Sequence, residues 1–536
     1  MKDSSDNKPN KYLVLFIVSL GTILSGYVSS SLDIALANMM NTFGFTMDNV
    51  TWVLLAYMIP YGATLPIMGK LGDQFGRKKM YIFGFAVFTV ATLMVGLAWS
   101  RATVILFRTI QGIGAGMFFP NAMALVSDAF PPNERGQALG MWGAFAAAGG
   151  VLGPIIGGYI VEYVSWRMLF SSIVPLSVIG ILMAIFILRE SEVSGCRDKI
   201  DYLGGVLMVA SLSSLIIALN QGAKEGWTSF YIIGLFTCTV VSMAAFIYVE
   251  NRAEYPLVSL DLFQSTTFIV ANFVAFLTFM TLYGGLFLIP FFLRNILGYT
   301  PIRAGMSLFP LVGAMILLAP LGGKLADKVD ARTPTVIGMI ILSLAMYSFH
   351  TMTDLTAYPF IAVRLVLMGV GLALTMSPLS NAALATVPKE KTGVGSGVFN
   401  LFKNVGGSVG IAMMGTLLDQ RQLFHGQILS NHINTSSEAA KQVLTQIQMV
   451  FTHNGMPSEQ AYGVAMATLK NLVAKQAAVM AYSDVFLITA GLAVLGAMMA
   501  LMLKENKPNN EQTADLASGE VLKRLSIRPP LSLKHR

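Results

Sequence analysis

Residues 69–79 read GKLGDQFGRKK, a glycine-rich cationic turn set between two long apolar stretches. A shorter echo, GKLADKVDAR, occupies residues 323–332 and is also flanked by apolar sequence. Two matching charged loops in so greasy a chain point to a membrane protein built by duplication. Composition agrees. Of 536 residues, 54% are hydrophobic and 12% charged, with mean hydropathy +0.65, against about 25% charge in a soluble domain. Fifty glycines and 33 phenylalanines suit packed membrane helices, where small residues let backbones approach. The net charge of +8 is better read as topology than as a nucleic-acid footprint, because basic residues gather on cytoplasmic loops.

Working outward from that turn, apolar runs of about 20 residues number fourteen. They are 12–36, 50–69, 80–98, 102–126, 137–160, 167–188, 202–220, 229–249, 267–294, 303–325, 334–351, 357–385, 393–418 and 482–503. The tail before them, residues 1–11, is polar. The first run is too long for a signal-peptide core and lacks an A-x-A site, so it reads as a retained helix. With the N-terminus inside, the inner loops carry Arg77, Lys78, Lys79, Arg135, Arg189, Arg197, Lys199, Arg252, Lys328, Arg332, Lys389 and Lys391. Outer loops carry few basic residues, so both termini are expected in the cytoplasm. Cys196 lies in a polar loop and Cys238 in an apolar run; no disulfide is expected between them.

The repeat extends well beyond the two turns. Gly69 recurs as Gly323, an offset of 254; Arg108 of RTIQGIGAG as Arg364 of RLVLMGVGLAL, 256; Gly149, Gly150 and Gly153 as Gly406, Gly407 and Gly410, 257. Spans 2, 4 and 5 thus map onto 10, 12 and 13, eight helices apart. The expected architecture is an all-α membrane protein of 14 transmembrane helices arranged 6 + 2 + 6. Its parts are a first bundle (12–188), a linker with two inserted helices (189–266), a second bundle (267–503) and a cytoplasmic tail (504–536). Parallel halves of this kind put a substrate site near the midplane between them. Within the second bundle, 419–481 contains two serine-started amphipathic patterns and is expected to form an outer helical hairpin, covering the mouth or docking a partner.

Several residues carry chemistry. Gly69 and Gly76 permit close approach and positive φ. Asp73 can cap a neighbouring helix or pair with a cation, and Arg77 offers a bidentate fork. Gly149, Gly153 and Gly157 share one helical face suited to tight crossing, Gly158 adjoins it, and Pro154 interrupts the hydrogen-bond ladder. Asp33 and Arg108 are costly in hydrocarbon. Counted along their helices at about 1.5 Å per residue, both fall in the outer half of the first bundle. They can form a static ion pair or alternate between pairing, protonation and substrate contact. Phe276, Phe279 and Tyr283 make an aromatic stripe that can pack against a neighbour or stack flat cations. No P-loop, HExxH, paired CxxC or GxSxG occurs; neither ATP, a metal, a cofactor nor hydrolysis is expected.

These motifs, in this order, resemble the major facilitator superfamily (MFS), and within it the fourteen-span EmrB/QacA-like drug:proton antiporters. The residues that carry the likeness are SSLDIALANMM, GKLGDQFGRKK, RTIQGIGAG, GGVLGPIIGGYI, SWRMLF and FNLFKNVGGSVGIA. The resemblance implies a gating role for Gly69, Asp73, Gly76 and Arg77, which latch the halves together on the cytoplasmic side. It makes Gly149, Gly153, Pro154, Gly157 and Gly158 the antiporter motif and Asp33 the proton and substrate acid, with Arg108 near it. It places Phe276, Phe279, Tyr283 and Arg364 on cavity walls. Lys403 stands where the family often has arginine, and no role is carried over to it. The implied function is proton-coupled efflux of lipophilic cationic or amphipathic drugs across a bacterial inner membrane, with no cofactor. Its partners would be protons, membrane lipid and, in the EmrB branch, a periplasmic adaptor and outer-membrane duct. Export of one defined metabolite, lipid or siderophore, and a non-transporting sensor or scaffold, are the alternatives.

Overall fold

A computed structural model describes residues 9–504 except 47–48, 191–200 and 433–437, together with the backbone but not the side chains of Asp33, Ala37, Val151, Pro154, Ile155, Pro301, His432 and residues 438–440. Cys196, most of the N-terminal tail, residues 505–536 and the side chains of Asp33 and Pro154 therefore lie outside the described residues. The described chain is helical, without strands.

The first half comprises α1 (Lys11–Phe43), α2 (Thr51–Phe75), α3 (Arg77–Gly96), α4 (Arg101–Ala129), α5 (Arg135–Tyr163), α6 (Trp166–Ser171) and α7 (Val174–Ile187). Two inserted helices follow, α8 (Tyr202–Glu225) and α9 (Phe230–Glu250). The second half comprises α10 (Thr266–Asn295), α11 (Pro301–Met306), α12 (Phe309–Lys328), α13 (Arg332–His350), α14 (Tyr358–Ala385), α15 (Thr392–His432), α16 (Glu438–His453) and α17 (Ser458–Ala500). Among the described residues thirteen helical stretches are long and apolar enough to cross a membrane, and the 29-residue α5 takes the place of the remaining expected span.

Spans 6 and 10 are each broken near the end away from the basic loops, into α6–α7 and α11–α12. The cause is local: Pro175 and Pro310 stand in the first turn of the second piece, where a missing N–H costs nothing but the ring bars continuation backwards. Segment 419–481, expected as a helical hairpin, contains one, α16 turning back on α17 through residues 454–457, and the two flanking spans extend into it. α15 runs on to His432, and α17 rises unbroken from Ser458 because residues 464–490 contain neither glycine nor proline. Only α16 is separate, lying against α17. Asp484 ties the two extended helices together, accepting from His425 Nε2 at 2.8 Å beside Arg421 at 3.7 Å.

Across the seam α2 packs on α15 and α5 on α12. Since the repeat carries span 2 to 10 and span 5 to 13, these are one contact made twice. Inserted α8 lies against both α2 and α15 and covers one side of that seam, with α9 packed on α8.

Candidate functional site

At the end that carries the basic loops, the seam is closed by two reciprocal helix caps. An α-helix leaves its first N–H groups without partners and a partial positive charge at that end. Asp73, late in α2, accepts from the N–H of Gly393 at 2.9 Å and of Val394 at 3.0 Å, the second and third residues of α15. Asp327, late in α12, accepts from Gly136 at 3.0 Å and Gln137 at 3.1 Å, the second and third residues of α5. Each half's loop carboxylate thus caps a helix of the other half. Glycine makes the approach possible. A Cβ on Gly69 would collide with the carbonyl of Gly393, and one on Gly323 with that of Gly136.

The two caps differ in their second partners. Arg77 grips Asp73 Oδ1 through Nε at 3.0 Å and Nη2 at 2.8 Å, also donates to Asp128, and reaches the Lys389 carbonyl at 2.6 Å. Asp327 accepts instead from the Asn381 amide at 3.1 Å. Gly76 holds φ +108° between α2 and α3, a region closed to most side chains. Glu190 accepts there from the Lys78 N–H at 2.9 Å.

Beyond the clasp the seam opens. Gly136, Gly143 and Gly150 are seven apart on α5 and share one line. A Cβ at Gly136 would come within 2.5 Å of Asp327 Oδ1, whereas at Gly143 and at Gly150 it would meet nothing within 4 Å. The other face of α5 is tight. A Cβ on Gly149 would lie 2.9 Å from Ile23 Cα, on Gly153 2.7 Å from the Tyr27 carbonyl, and on Gly157 2.7 Å from Ser31 Cβ, all on α1. In the second half Gly406 and Gly410 pack the same way on Phe276 and Met280 of α10. Gly158 stands between the seam and the α1 face, with Ile302 of α11 and Ile34 of α1 at ordinary contact distance from its Cβ position. Gly149→Ala is therefore expected to cost about 1–3 kcal/mol by overpacking. Gly143→Ala should be neutral or stabilise by up to about 1 kcal/mol. Thermal unfolding of the two purified variants compares them directly, and equal shifts would contradict the packing.

The opened seam is lined with rings. Tyr57 stacks on Tyr61 at 5.8 Å, Tyr61 meets Phe119 edge-on at 5.7 Å, and Phe119 meets Trp142 at 5.4 Å. From the second half Phe279 and Tyr283 continue the wall, 6.0 Å apart. Tyr283 lies within electrostatic reach of Tyr57 and Tyr61 across the seam yet keeps 41% of its surface open. Phe276 packs its backbone on Gly406, at the base of this wall. Where Trp142 and Phe279 converge stands Lys403. Eleven residues into α15, it lies about 16 Å from the basic end, close to mid-depth. Its ammonium sits 4.7 Å from the Phe279 ring, 5.6 Å from Phe399 and 5.7 Å from Trp142, and donates to Asn400 Oδ1 at 3.2 Å. The sequence marks Lys403 only as a departure from the family's arginine and assigns it no role. A cation at mid-depth of an apolar span is the signal that marked Arg108, and it applied here too.

Arg108 begins the same wall at its far end. It is 1% exposed, lies 4.6 Å from the Tyr57 ring, and donates to Gln111 Oε1 at 2.6 Å and to the Val53 carbonyl at 3.2 Å. Gln111 in turn donates to Thr92 at 2.6 Å. This dense bonding fixes the guanidinium between α2, α3 and α4. Asp33 lies on α1, which packs against α4.

Arg364 does not join the site. It donates to Thr351 Oγ1 at 2.8 Å, in the turn between α13 and α14. The repeat placed it opposite Arg108, but its position within the first two turns of α14 lets a long side chain snorkel to the nearby loop.

The Major Facilitator Superfamily model matches residues 18–411. The chain is 32% identical over 415 residues to Multidrug resistance protein 3 of Bacillus subtilis, covering 76% of this chain and 79% of that protein. It is 29% identical over 435 residues to the riboflavin transporter RibZ of Clostridioides difficile, covering 81% and 93%. The fold matches that of the proton:xylose symporter XylE with a TM-score of 0.59, at 11% identity and over 93% of this chain and 96% of that one.

Proposed function

The chain belongs to the major facilitator superfamily, whose members are membrane transporters rather than enzymes, and from that premise we propose that it exports amphipathic aromatic compounds in exchange for protons by alternating access. The observation that carries this reading is the pair of reciprocal caps at one end of a seam that opens beyond them. Two equivalent contacts that make and break together are what rocking of two halves needs. In this reading the basic loops favour a cytoplasmic position for the clasped end and for both termini, and the closed clasp then corresponds to an exit path facing outward. Asp33 is the proton carrier in this reading. The ring wall provides a surface for flat lipophilic bodies. The relative named a multidrug resistance protein is in keeping with a broad substrate range.

Export of one defined metabolite is the second reading, favoured by the relative named a riboflavin transporter. Dye flux in proteoliposomes under an imposed pH gradient tests the first. Gradient-dependent transport of several unrelated dyes that compete with one another is expected. Flux indifferent to the gradient would remove proton coupling, and transport of a single compound would favour the second reading.

A further inference from the structure

Lys403 presents an imbalance of hydrogen-bonding capacity. Three rings surround its ammonium, one from the first half and two from the second, but rings attract a cation without accepting a directed hydrogen bond of full strength. Its one described acceptor is Asn400 Oδ1, which leaves most of its three-donor capacity unused. Trp142, 2% exposed and itself part of the cage, has its indole Nε1 buried with no acceptor. Two neighbouring donors, one of them charged, lack the same thing. A buried donor without a partner costs about 1–3 kcal/mol, and a charged one more.

Among the described side chains no carboxylate pairs with Lys403. Asp73 and Asp327 cap helices at the basic end, and Asp484 pairs with His425. Glu162 lines a cavity of about 430 Å³ with Ile156, Tyr159, Tyr163 and Ile302 at the opposite end. Asp33 lies on α1 and belongs to the outer half by its depth. At the level of Lys403 the described wall consists of aromatic rings, the Asn400 amide and a cation.

We propose that Lys403, with Trp142 Nε1 as a second donor, takes an anionic oxygen of the transported compound, while Phe279 and Phe399 flank its aromatic body. This rests on the export reading above and narrows it: the preferred substrates are aromatic acids or zwitterions, and a flat cation lacking an acid group is a poorer ligand. Lys403 stands at the meeting of α5, α10 and α15, so the same contact bridges the two halves when substrate is bound.

A matched pair of dyes isolates the acid group. Rhodamine 110 carries a free carboxylate, and rhodamine 123 is its methyl ester with the same cationic xanthene. Binding of each to the purified full chain is read by fluorescence anisotropy, for the unaltered protein, Lys403→Gln and Lys403→Arg, with unfolding midpoints measured alongside. The acid is expected to bind about tenfold or more tighter than the ester, the worth of one charge-assisted hydrogen bond. Lys403→Gln should erase that preference and Lys403→Arg keep it. Equal affinities in the unaltered protein, or an equal loss for both dyes in Lys403→Gln, would overturn the anion site while leaving the chamber as a dye-binding site. Failure of both dyes to bind the unaltered protein would overturn the anion site and the export reading together.

Discussion

Replacing Asp33 by asparagine should reduce gradient-driven dye transport in proteoliposomes to the level of empty vesicles. Dye exchange without a gradient should continue. The two side chains have nearly the same shape, so packing on α1 survives, but the amide cannot release and rebind a proton at neutral pH. An acid at this depth is costly unless it faces a cavity or a partner, and the expense is explained if the group cycles between protonated and ionised forms. The unfolding midpoint is expected to hold or rise, because a potentially charged group leaves the bilayer. Undiminished driven flux in Asp33→Asn would take Asp33 out of the coupling step, whatever its structural role.

Removing the Asp73 carboxylate is the second change with a large expected effect. Asp73→Ala deletes two caps on α15 and two hydrogen bonds from Arg77, each of the charge-assisted kind and worth about 1.5–3 kcal/mol. It also leaves Arg77 buried beside Asp128 with its grip on Asp73 gone. Because the clasp lies at the end of the seam and not on the ring wall, turnover should fall about tenfold or more while dye affinity changes less than about twofold. Asp73→Asn keeps one acceptor for the helix end but loses the charge, and should fall between. Asp327→Ala should be milder, since Asp327 accepts from the Asn381 amide and no arginine contacts it among the described residues. If Asp73→Ala turns over normally, the turn between α2 and α3 serves only to orient the protein.

Much of this arrangement was legible in the residues. Three nearly equal offsets, carried by Gly69, Arg108 and Gly149, revealed a duplication with two helices inserted. The four-residue spacing of Gly149, Gly153 and Gly157 foretold a helix crossing, and the partner proved to be α1. What the offsets left unsaid is that the two aspartates cap each other's half. Asp73 and Gly393 are 320 residues apart, and nothing local links them. Arg364 misled because a repeat conserves backbone position, while a long side chain near a helix end follows whichever polar loop is closest. Lys403 stood out in the sequence only as a departure from the family pattern, because its cage is drawn from α5, α10 and α15, and its neighbours in sequence, Phe402 and Asn404, do not disclose it. The serine-started amphipathic pattern at Ser458 marked the start of α17, and the absence of glycine and proline over residues 464–490 explains its fusion with the last span.

Alternation of the two halves is best tested by distances at both ends of one molecule. Spin labels on Phe75→Cys and Glu390→Cys span the clasped end, and labels on Tyr163→Cys and Ile302→Cys span the other, in a protein freed of Cys196 and Cys238. Pulsed electron–electron resonance should show the first pair lengthening as the second shortens when substrate and pH are varied. Distances that stay fixed at both ends, or that lengthen together, would contradict alternating access through this seam.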